Sequence, residues 1–226
     1  AKPVEELYDS GSDPHQVRNL AADPQYRETL ERFRAECTRW MQATGDLGLL
    51  PEHEMLIRAK DSTPWEIAAD PDKNPLRRLL DAAALANEMN AANGPRLAAL
   101  LRDPDAAVRW WGTTGLAALG KDAVSAEAAL RNALADESPC VRVAAAEAIG
   151  NLGDYAAALP VLTQALQHDA PLVRLAALNV LDRFGQQAKP ALPAIRAAGR
   201  KEQGPVADYV NRMVEYLPQR NFPPEE

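Results

Sequence analysis

Four arginines recur at nearly constant spacing, and they are the side chains best placed for chemistry. Arg109, Arg142 and Arg174 each follow a valine, and Arg77 follows a leucine in the same register. A row of guanidinium groups could bind an anionic ligand. We favour a structural ladder instead, because repeated charges that support stacking need no ligand. If the arginine row binds a ligand instead, the candidate binding surface comprises Trp110, Arg109, Arg142 and Arg174.

Other residue types that carry chemistry form no motif in this sequence. His15, His53 and His168 are dispersed, and no Cys/His cluster with zinc spacing is present. Cys37 and Cys140 lie far apart, so we expect two small buried thiols without a disulfide. There is no Gly-rich phosphate loop and no nucleophile elbow. We therefore predict no catalytic residue, metal or cofactor for this chain.

The arginines belong to an internal repeat. Val108, Val141 and Val173 are separated by 33 and 32 residues, and a glycine follows each valine by twelve. An aspartate in a Pro-containing turn precedes each valine, and we predict that these aspartates cap the helix that follows. The structural repeat positions are Asp103, Arg109, Gly120, Asp136, Arg142, Gly153, Asp169, Arg174 and Gly185.

Apolar residues inside each unit have helical spacing. After Val141 they fall at offsets 3, 4, 7, 8 and 11, which is typical of an amphipathic helix. A first helix is predicted to begin at Pro95, Pro160 and Pro193, since a proline in the first turn removes no helical hydrogen bond. About five units result. Their second helices are expected to start near Leu76, Val108, Val141, Val173 and Val206.

Each unit thus has a first helix, a turn with Asp and Pro, a second helix that opens with Val-Arg, and a glycine at its end. Over residues 64–218 this order resembles HEAT repeats. The resemblance implies an all-α, right-handed solenoid in which Asp and Arg of neighbouring units pair along the stack. In this register Trp110 is expected to fill an inter-repeat contact, although an aromatic ligand platform is the alternative. We expect the same packing role for Tyr209 and Tyr216 in the last helix.

Residues 1–50 do not join the repeat. Their pattern predicts a short strand at Leu7-Tyr8, a polar turn, and a helix over 24–44 that ends at Gly45. Residues 51–63 are expected to form a linker, and residues 219–226 a tail. The apolar stripe of the helix over 24–44 comprises Tyr26, Leu30, Phe33, Cys37, Trp40 and Met41.

The order of short motifs in this segment resembles the C-terminal subdomain of bacterial sulfatases, over residues 1–75. The motifs are Glu6-Leu7-Tyr8-Asp9, Asp13-Pro14, Asn19-Leu20-Ala21, Asp23-Pro24 and Thr63-Pro64-Trp65-Glu66. The resemblance implies a parent hydrolase of sulfate esters with a bound calcium, exported or periplasmic. Its Cys/Ser-x-Pro-x-Arg motif is absent from these 226 residues, so catalysis is expected in a region before Ala1.

Two further hypotheses stay open at this stage. The chain could be a stand-alone HEAT-type adaptor, or a helical-repeat enzyme such as a lyase or a DNA-lesion glycosylase. The net charge of −7 disfavours nucleic acid and anionic membranes as partners. We therefore expect a protein partner, either the chain's own catalytic domain, a second copy or another protein.

Overall fold

The computed structural model describes Pro3, residues 5–199 and residues 204–222, and these residues are helical with connecting turns. The predicted all-α class is confirmed, whereas the handedness of the stack stays a prediction. The helices are α1 Arg27–Thr44, α2 Glu52–Arg58, α3 Pro64–Ala69, α4 Leu76–Asn87, α5 Gly94–Leu100, α6 Ala106–Leu119, α7 Glu127–Ala133, α8 Pro139–Asn151, α9 Tyr155–Ala165, α10 Pro171–Phe184, α11 Leu192–Ala197 and α12 Pro205–Asn221.

Helices α5 to α12 pair into successive hairpins, and α4, α6, α8, α10 and α12 pack each against the next along the stack. The recurring valines explain this order. Val108, Val141 and Val173 are all buried, as the repeat requires. Between the two helix layers lies one continuous apolar core that extends from Leu85 in the first unit to Leu217 in the last. A single hairpin could not cover its own apolar face, so the units stabilise one another.

Glycines serve two different purposes in this stack. Gly120 and Gly185 end α6 and α10 with φ of 57° and 54°, a conformation that costs glycine little, and Gly153 follows α8 with φ of 105°. Gly112 instead allows close packing, because a Cβ there would lie 2.8 Å from the Leu97 carbonyl oxygen. The predicted glycine stops therefore match the ends of these helices.

One of the three predicted proline starts is wrong. Pro95 and Pro193 lie in the first turns of α5 and α11, but Pro160 lies inside α9. That helix begins five residues earlier, where the Asp154 side chain accepts a hydrogen bond from the Ala157 N–H and caps it. A good cap upstream thus decides the helix start, and the proline is tolerated within the helix.

Residues 5–9 are extended but form no strand within the described part of the chain, so the predicted strand at Leu7-Tyr8 is wrong. A strand needs a neighbour, and only one backbone bond forms here, from the Leu20 N–H to the Leu7 carbonyl. The Asn19 side chain satisfies the Leu7 N–H.

Two predicted boundaries also differ from the structure. The expected linker over 51–63 contains α2, whose first turn carries Glu52 and Glu54 at the end where the helix dipole favours negative charge. The expected tail begins as helix, because α12 continues to Asn221, whose side-chain amide bonds to Asp182. Residues 223–226 of that tail, and Ala1, lie outside the described residues.

The predicted helix over 24–44 is present as a 3-10 turn, Pro24–Tyr26, followed by α1, and Gly45 ends it with φ of 64°. Its apolar stripe is not covered, however. None of the residues of α1 is buried, and Phe33 and Trp40 expose 52% and 57% of their surface. An amphipathic helix of this kind gains its stability from packing, so its uncovered face needs an explanation.

Candidate interaction surface and ligand cavity

The repeated arginines share one local arrangement. Arg109, Arg142 and Arg174 each donate from Nη1 to two backbone carbonyls, six and five residues earlier in the chain, at 2.7 to 3.0 Å. These carbonyls belong to the turn between the two helices of the same unit. Each arginine therefore closes its own turn, and this explains its constant position after the valine.

Pairing between units is present at two steps of the stack. Arg109 binds both carboxylate oxygens of Asp136 at 2.8 and 2.9 Å and is itself buried. The hydrogen bonds that the Arg109 guanidinium donates to Asp136 raise its pKa. One unit earlier, Asp103 is bound by Arg78 rather than by the expected Arg77. Arg109 is thus a structural residue, as the ladder hypothesis requires.

The prediction that turn aspartates cap the second helices is confirmed at α6 and wrong at α8, which starts after Ser138 without a capping side chain. Asp105 caps α6 by accepting from the Ala107 and Val108 N–H groups, while Asp103 accepts from the Asp105 N–H inside the turn. Asp136 likewise accepts from Ser138 within its turn. Helix α10 starts after Ala170, which has no capping side chain, so Asp169 is not its cap.

The short helix α2 crosses the turns of successive units. Arg58 donates to the Lys73 carbonyl and to Asp105, and the Ser138 hydroxyl donates to the buried carboxylate of Glu54. The ring of His53 meets His168 edge to face at 5.4 Å between centroids. Sequence reasoning missed this arrangement, because its partners are up to 115 residues apart (168 − 53).

The two thiols differ from each other and from prediction. Cys37 is exposed on α1, because nothing described covers that face. Cys140 is partly buried, and burial raises the pKa of its thiol to about 12. A thiol with such a pKa is protonated at neutral pH and is a poor nucleophile.

The tryptophan pair divides its contacts between two neighbours. Trp110 packs against Ala133, Val141 and Ala145 of the next unit, as predicted for an inter-repeat contact. The Trp111 indole N–H donates to the Leu49 carbonyl at 2.8 Å and so attaches the N-terminal segment to the stack. Both rings are thus engaged in packing, while Trp110 stays partly accessible and the predicted binding surface around it remains a prediction.

Tyr209 and Tyr216 are not packed as predicted. Both lie about half exposed on α12, where Arg212 and Arg220 lie over their rings at 5.3 and 5.7 Å from the centroids. Among the described residues, no helix follows α12 to cover this side of it.

Large exposed apolar side chains concentrate near the N-terminal segment. We define the α1 apolar face as Leu30, Phe33, Cys37 and Trp40, which are one helical turn apart and lie on one side of α1. A bidentate ion pair between Glu5 and Arg34 attaches the preceding segment to this helix. Contiguous exposed apolar surface of this kind marks sites of interaction in soluble proteins.

Beside the C-terminal end of α1 lies an open cavity of about 810 Å³, which we call the junction cavity. Helix α3 and the first turn of α4 form its other walls. Its residues include Trp65, Asn74 and Arg77, none of which belongs to the ladder. The sequence singled out Arg77 for its place in the arginine row and Trp65 as part of the motif Thr63-Pro64-Trp65-Glu66.

Within the described ranges, no group of three or more His, Cys, Asp or Glu side chains could hold a metal ion. The residues present therefore do not fit the calcium that the sulfatase resemblance implies for the parent enzyme. None of the helices in these ranges is long and apolar enough to cross a membrane.

Comparison with known proteins supports both resemblances. Residues 127–209 match the family model of HEAT repeats. The chain is 41% identical over 71 residues to an ulvan-active sulfatase of Formosa agariphila, and 44% identical over 41 residues to the human N-sulphoglucosamine sulphohydrolase. These matches cover 31% and 18% of this chain.

The sulfatases are much longer than the matched stretches, which span 12% and 8% of their lengths. A second ulvan-active sulfatase of Formosa agariphila is 41% identical over 46 residues, or 9% of its length. The chain thus has HEAT-like repeats and a partial likeness to sulfatases.

Proposed function

We propose that this chain is the non-catalytic C-terminal part of a sulfatase-like hydrolase of sulfate esters. The observation that carries the proposal is the 41% identity to a sulfatase over 71 residues, in a chain that also forms helical repeats. The motif order in residues 1–75 supports it, because that order resembles a sulfatase C-terminal subdomain. Calcium and the catalytic residues would then belong to another region of the parent protein.

The chemistry of the chain supports a non-catalytic role. Neither Cys37 nor Cys140 lies in the sequence Cys-x-Pro-x-Arg, and no serine does so in the corresponding motif. Burial holds the Cys140 thiol in its protonated form.

The α1 apolar face supports attachment to a catalytic region. Phe33 and Trp40 would lose exposed apolar surface on docking, which is favourable by roughly 25 cal/mol for each Å² buried. The other end of the segment is already fixed to the repeats by Trp111. The segment would therefore connect the catalytic region rigidly to the repeats.

The repeats would then offer an extended surface for a further contact. HEAT-like stacks present long rows of side chains, and this geometry suits binding of a protein or self-association. The partly exposed Tyr209 and Tyr216 at the last hairpin are accessible for such a contact. Oligomerisation, partner docking and shaping of the substrate cleft are the roles that this surface supports.

The reading frame upstream of Ala1 provides the first test. A Cys/Ser-x-Pro-x-Arg motif there supports the proposal, and a start codon close by refutes it in favour of a stand-alone adaptor. The purified 226-residue chain should not hydrolyse an aryl sulfate, whereas the longer protein should. Turnover by the isolated chain would contradict the assignment of catalysis to another region.

Substitution tests the docking face itself. In the longer protein, Phe33→Ser together with Trp40→Ser should lower Tm and the yield of soluble enzyme, because a buried contact becomes polar. Val124→Ser is the matched control, since Val124 is 62% exposed on the repeats and far from α1 in sequence. An equal change of Tm and of soluble yield in the two variants would contradict docking through α1.

A further inference from the structure

Helix α2 lies across one edge of the stack, where the turns that precede α4, α6, α8 and α10 follow one another. Three of its side chains contact these four turns, although a helix of seven residues is only about 10 Å long. We call it the α2 strap. Its contacts, in the order of the turns, are Arg58 with the Lys73 carbonyl, Arg58 with Asp105, Glu54 with Ser138, and His53 with His168.

The contacts that hold the strap are mostly polar. Met55 packs against an apolar cluster, but Leu56 and Ile57 are about half exposed. Glu54 and Arg58 are nearly covered, and buried charges are tolerated only while their partners stay in place. Attachment of the strap therefore depends more on charge and hydrogen bonding than on apolar burial.

Both ends of the segment that contains the strap are fixed without it. Leu50, just before α2, and Ile67, in α3, are buried in the same apolar cluster. Thr63 and Glu66 form a capping box that fixes the start of α3. The strap can therefore detach between two anchored points while the repeats stay folded.

The histidine pair is the contact that responds to pH. The rings of His53 and His168 meet at 5.4 Å between centroids, and His168 Nδ1 accepts a hydrogen bond from the Ala170 N–H at 3.0 Å. That nitrogen carries no proton while the bond exists. Protonation of His168 breaks the bond, and protonation of both rings places two like charges in contact. Histidine is the side chain that titrates between pH 5 and 8.

The titratable groups that face His53 come from two elements. His168 faces it from the turn before α10, and Glu54 from α2 itself. Burial lowers the pKa of His53, the charge of His168 lowers it further, and Glu54 opposes both. The bound strap thus takes up protons less readily than a detached one, so acid favours detachment. Other charged or titratable side chains near these contacts, besides Arg58, are Glu52, Asp105, Cys140, Arg142, Asp169 and Arg174.

We propose that the α2 strap is an acid-released strap of the stack. At neutral pH it connects four successive turns. Below about pH 6, the charged histidines repel each other and α2 detaches, so that the turns can move relative to one another. Detachment also uncovers the Cys140 thiol, which faces Glu54 in the bound state. The proposal does not rest on the proposed function, because every group involved belongs to this chain.

Hydrogen exchange of the 226-residue chain measures detachment. The N–H groups of Met55 and Ala59 are bonded to carbonyls of the same segment, at Pro51 and Met55. Their protection factors, corrected for the intrinsic effect of pH on exchange, should fall at least about threefold from about pH 7.5 to pH 5.5. Protection in α8 should change by less than about twofold over the same range.

Substitution assigns the response to the histidines. His53→Gln should reduce the fall in protection to less than about twofold, and His168→Asn in addition should abolish it. Asparagine keeps a side-chain acceptor for the Ala170 N–H, so the turn is preserved. His15→Gln is the matched control, because His15 is the third histidine of the chain and is exposed. It should leave the fall unchanged.

Thiol labelling gives an independent measurement of the same event. Cys37 is exposed and provides the reference within each sample. With 4,4′-dithiodipyridine, which reacts in acid, the labelling rate of Cys140 relative to Cys37 should rise at least about threefold from about pH 7.5 to pH 5.5. The double histidine variant should show no such rise.

Four results would overturn the proposal. Protection and labelling could be independent of pH in the unmodified chain, or the pH dependence could survive in the double histidine variant. It could also disappear in Glu54→Gln, which would assign the response to the carboxylate. An equal loss of protection in α8 would show unfolding of the stack instead of detachment of the strap.

Discussion

The repeats and the N-terminal segment carry similar side chains, but those of the repeats are buried and those of the segment are exposed. In the repeats, large apolar residues such as Ile149 are completely buried. The buried Arg109 makes five hydrogen bonds, with carbonyls of its own turn and with carboxylates of the next unit. In the segment before them, Phe33 is half exposed and Arg34 forms an ion pair in solvent. The difference is that the repeats bury their own apolar side chains, whereas the described residues leave the apolar face of α1 uncovered, as the proposed docking role requires.

Replacement of a ladder arginine should have the largest effect. Arg109→Leu leaves Asp136 and two turn carbonyls without their donor, so the free energy of unfolding should fall by about 3–5 kcal/mol. Arg34→Gln, its counterpart in the other region, should cost less than about 1 kcal/mol because that pair is exposed. Urea denaturation measures both, and similar losses would abolish the contrast between the regions.

Truncation of apolar residues sharpens the comparison. Ile149→Ala creates a cavity in the continuous core and should cost about 2–5 kcal/mol. Phe33→Ala should change the stability of the isolated chain by no more than about 0.5 kcal/mol. A large loss from the second variant would mean that α1 is covered in solution, for example by a second copy. Thermal unfolding at two protein concentrations would detect such a copy.

The attachment of the N-terminal segment to the repeats should contribute less to stability than the contacts within the repeats do. Trp111→Phe keeps the ring and removes the donor to Leu49, at a cost of roughly 1 kcal/mol. We expect faster proteolytic cleavage in the segment before α3, with little change in the repeats. Trp110→Phe provides the control, since the ring of Trp110 packs within the stack, against residues of the next unit. Equal cleavage rates for both variants would contradict the proposed attachment.

The smallest effect concerns pH. Burial lowers the pKa of His53, and the charge of His168 lowers it further, while Glu54 opposes both. As pH falls below about 6.5, the unfolded chain takes up the proton first, so stability decreases until pH passes below the lowered folded-state pKa.

His53→Gln should therefore flatten the decrease in Tm between about pH 7 and pH 5. His15→Gln, at an exposed position in the N-terminal segment, should leave the decrease as it is in the unmodified chain. A steeper decrease of Tm in His53→Gln would contradict the expected direction of the effect of His53 on stability.

Much of the fold followed from local pattern. The spacing of Val108, Val141 and Val173 predicted helices with buried valines, and Gly120 and Gly185 predicted their ends, because these features depend on residues within a few turns. Pro160 shows the limit of this reasoning. Its position in the pattern suggested a helix start, but a competing cap at Asp154 determined the start instead.

The sequence by itself determined the all-α repeat, since a stripe of apolar residues every three or four positions can be buried only by a neighbouring helix. Tertiary structure alone decided which unit an arginine reaches. Arg77, Arg109, Arg142 and Arg174 share one sequence position, yet the bond of Arg109 to Asp136 in the next unit depends on how the two units pack. The same holds for α2, whose contacts with Asp105 and Ser138 join residues that no local pattern connects.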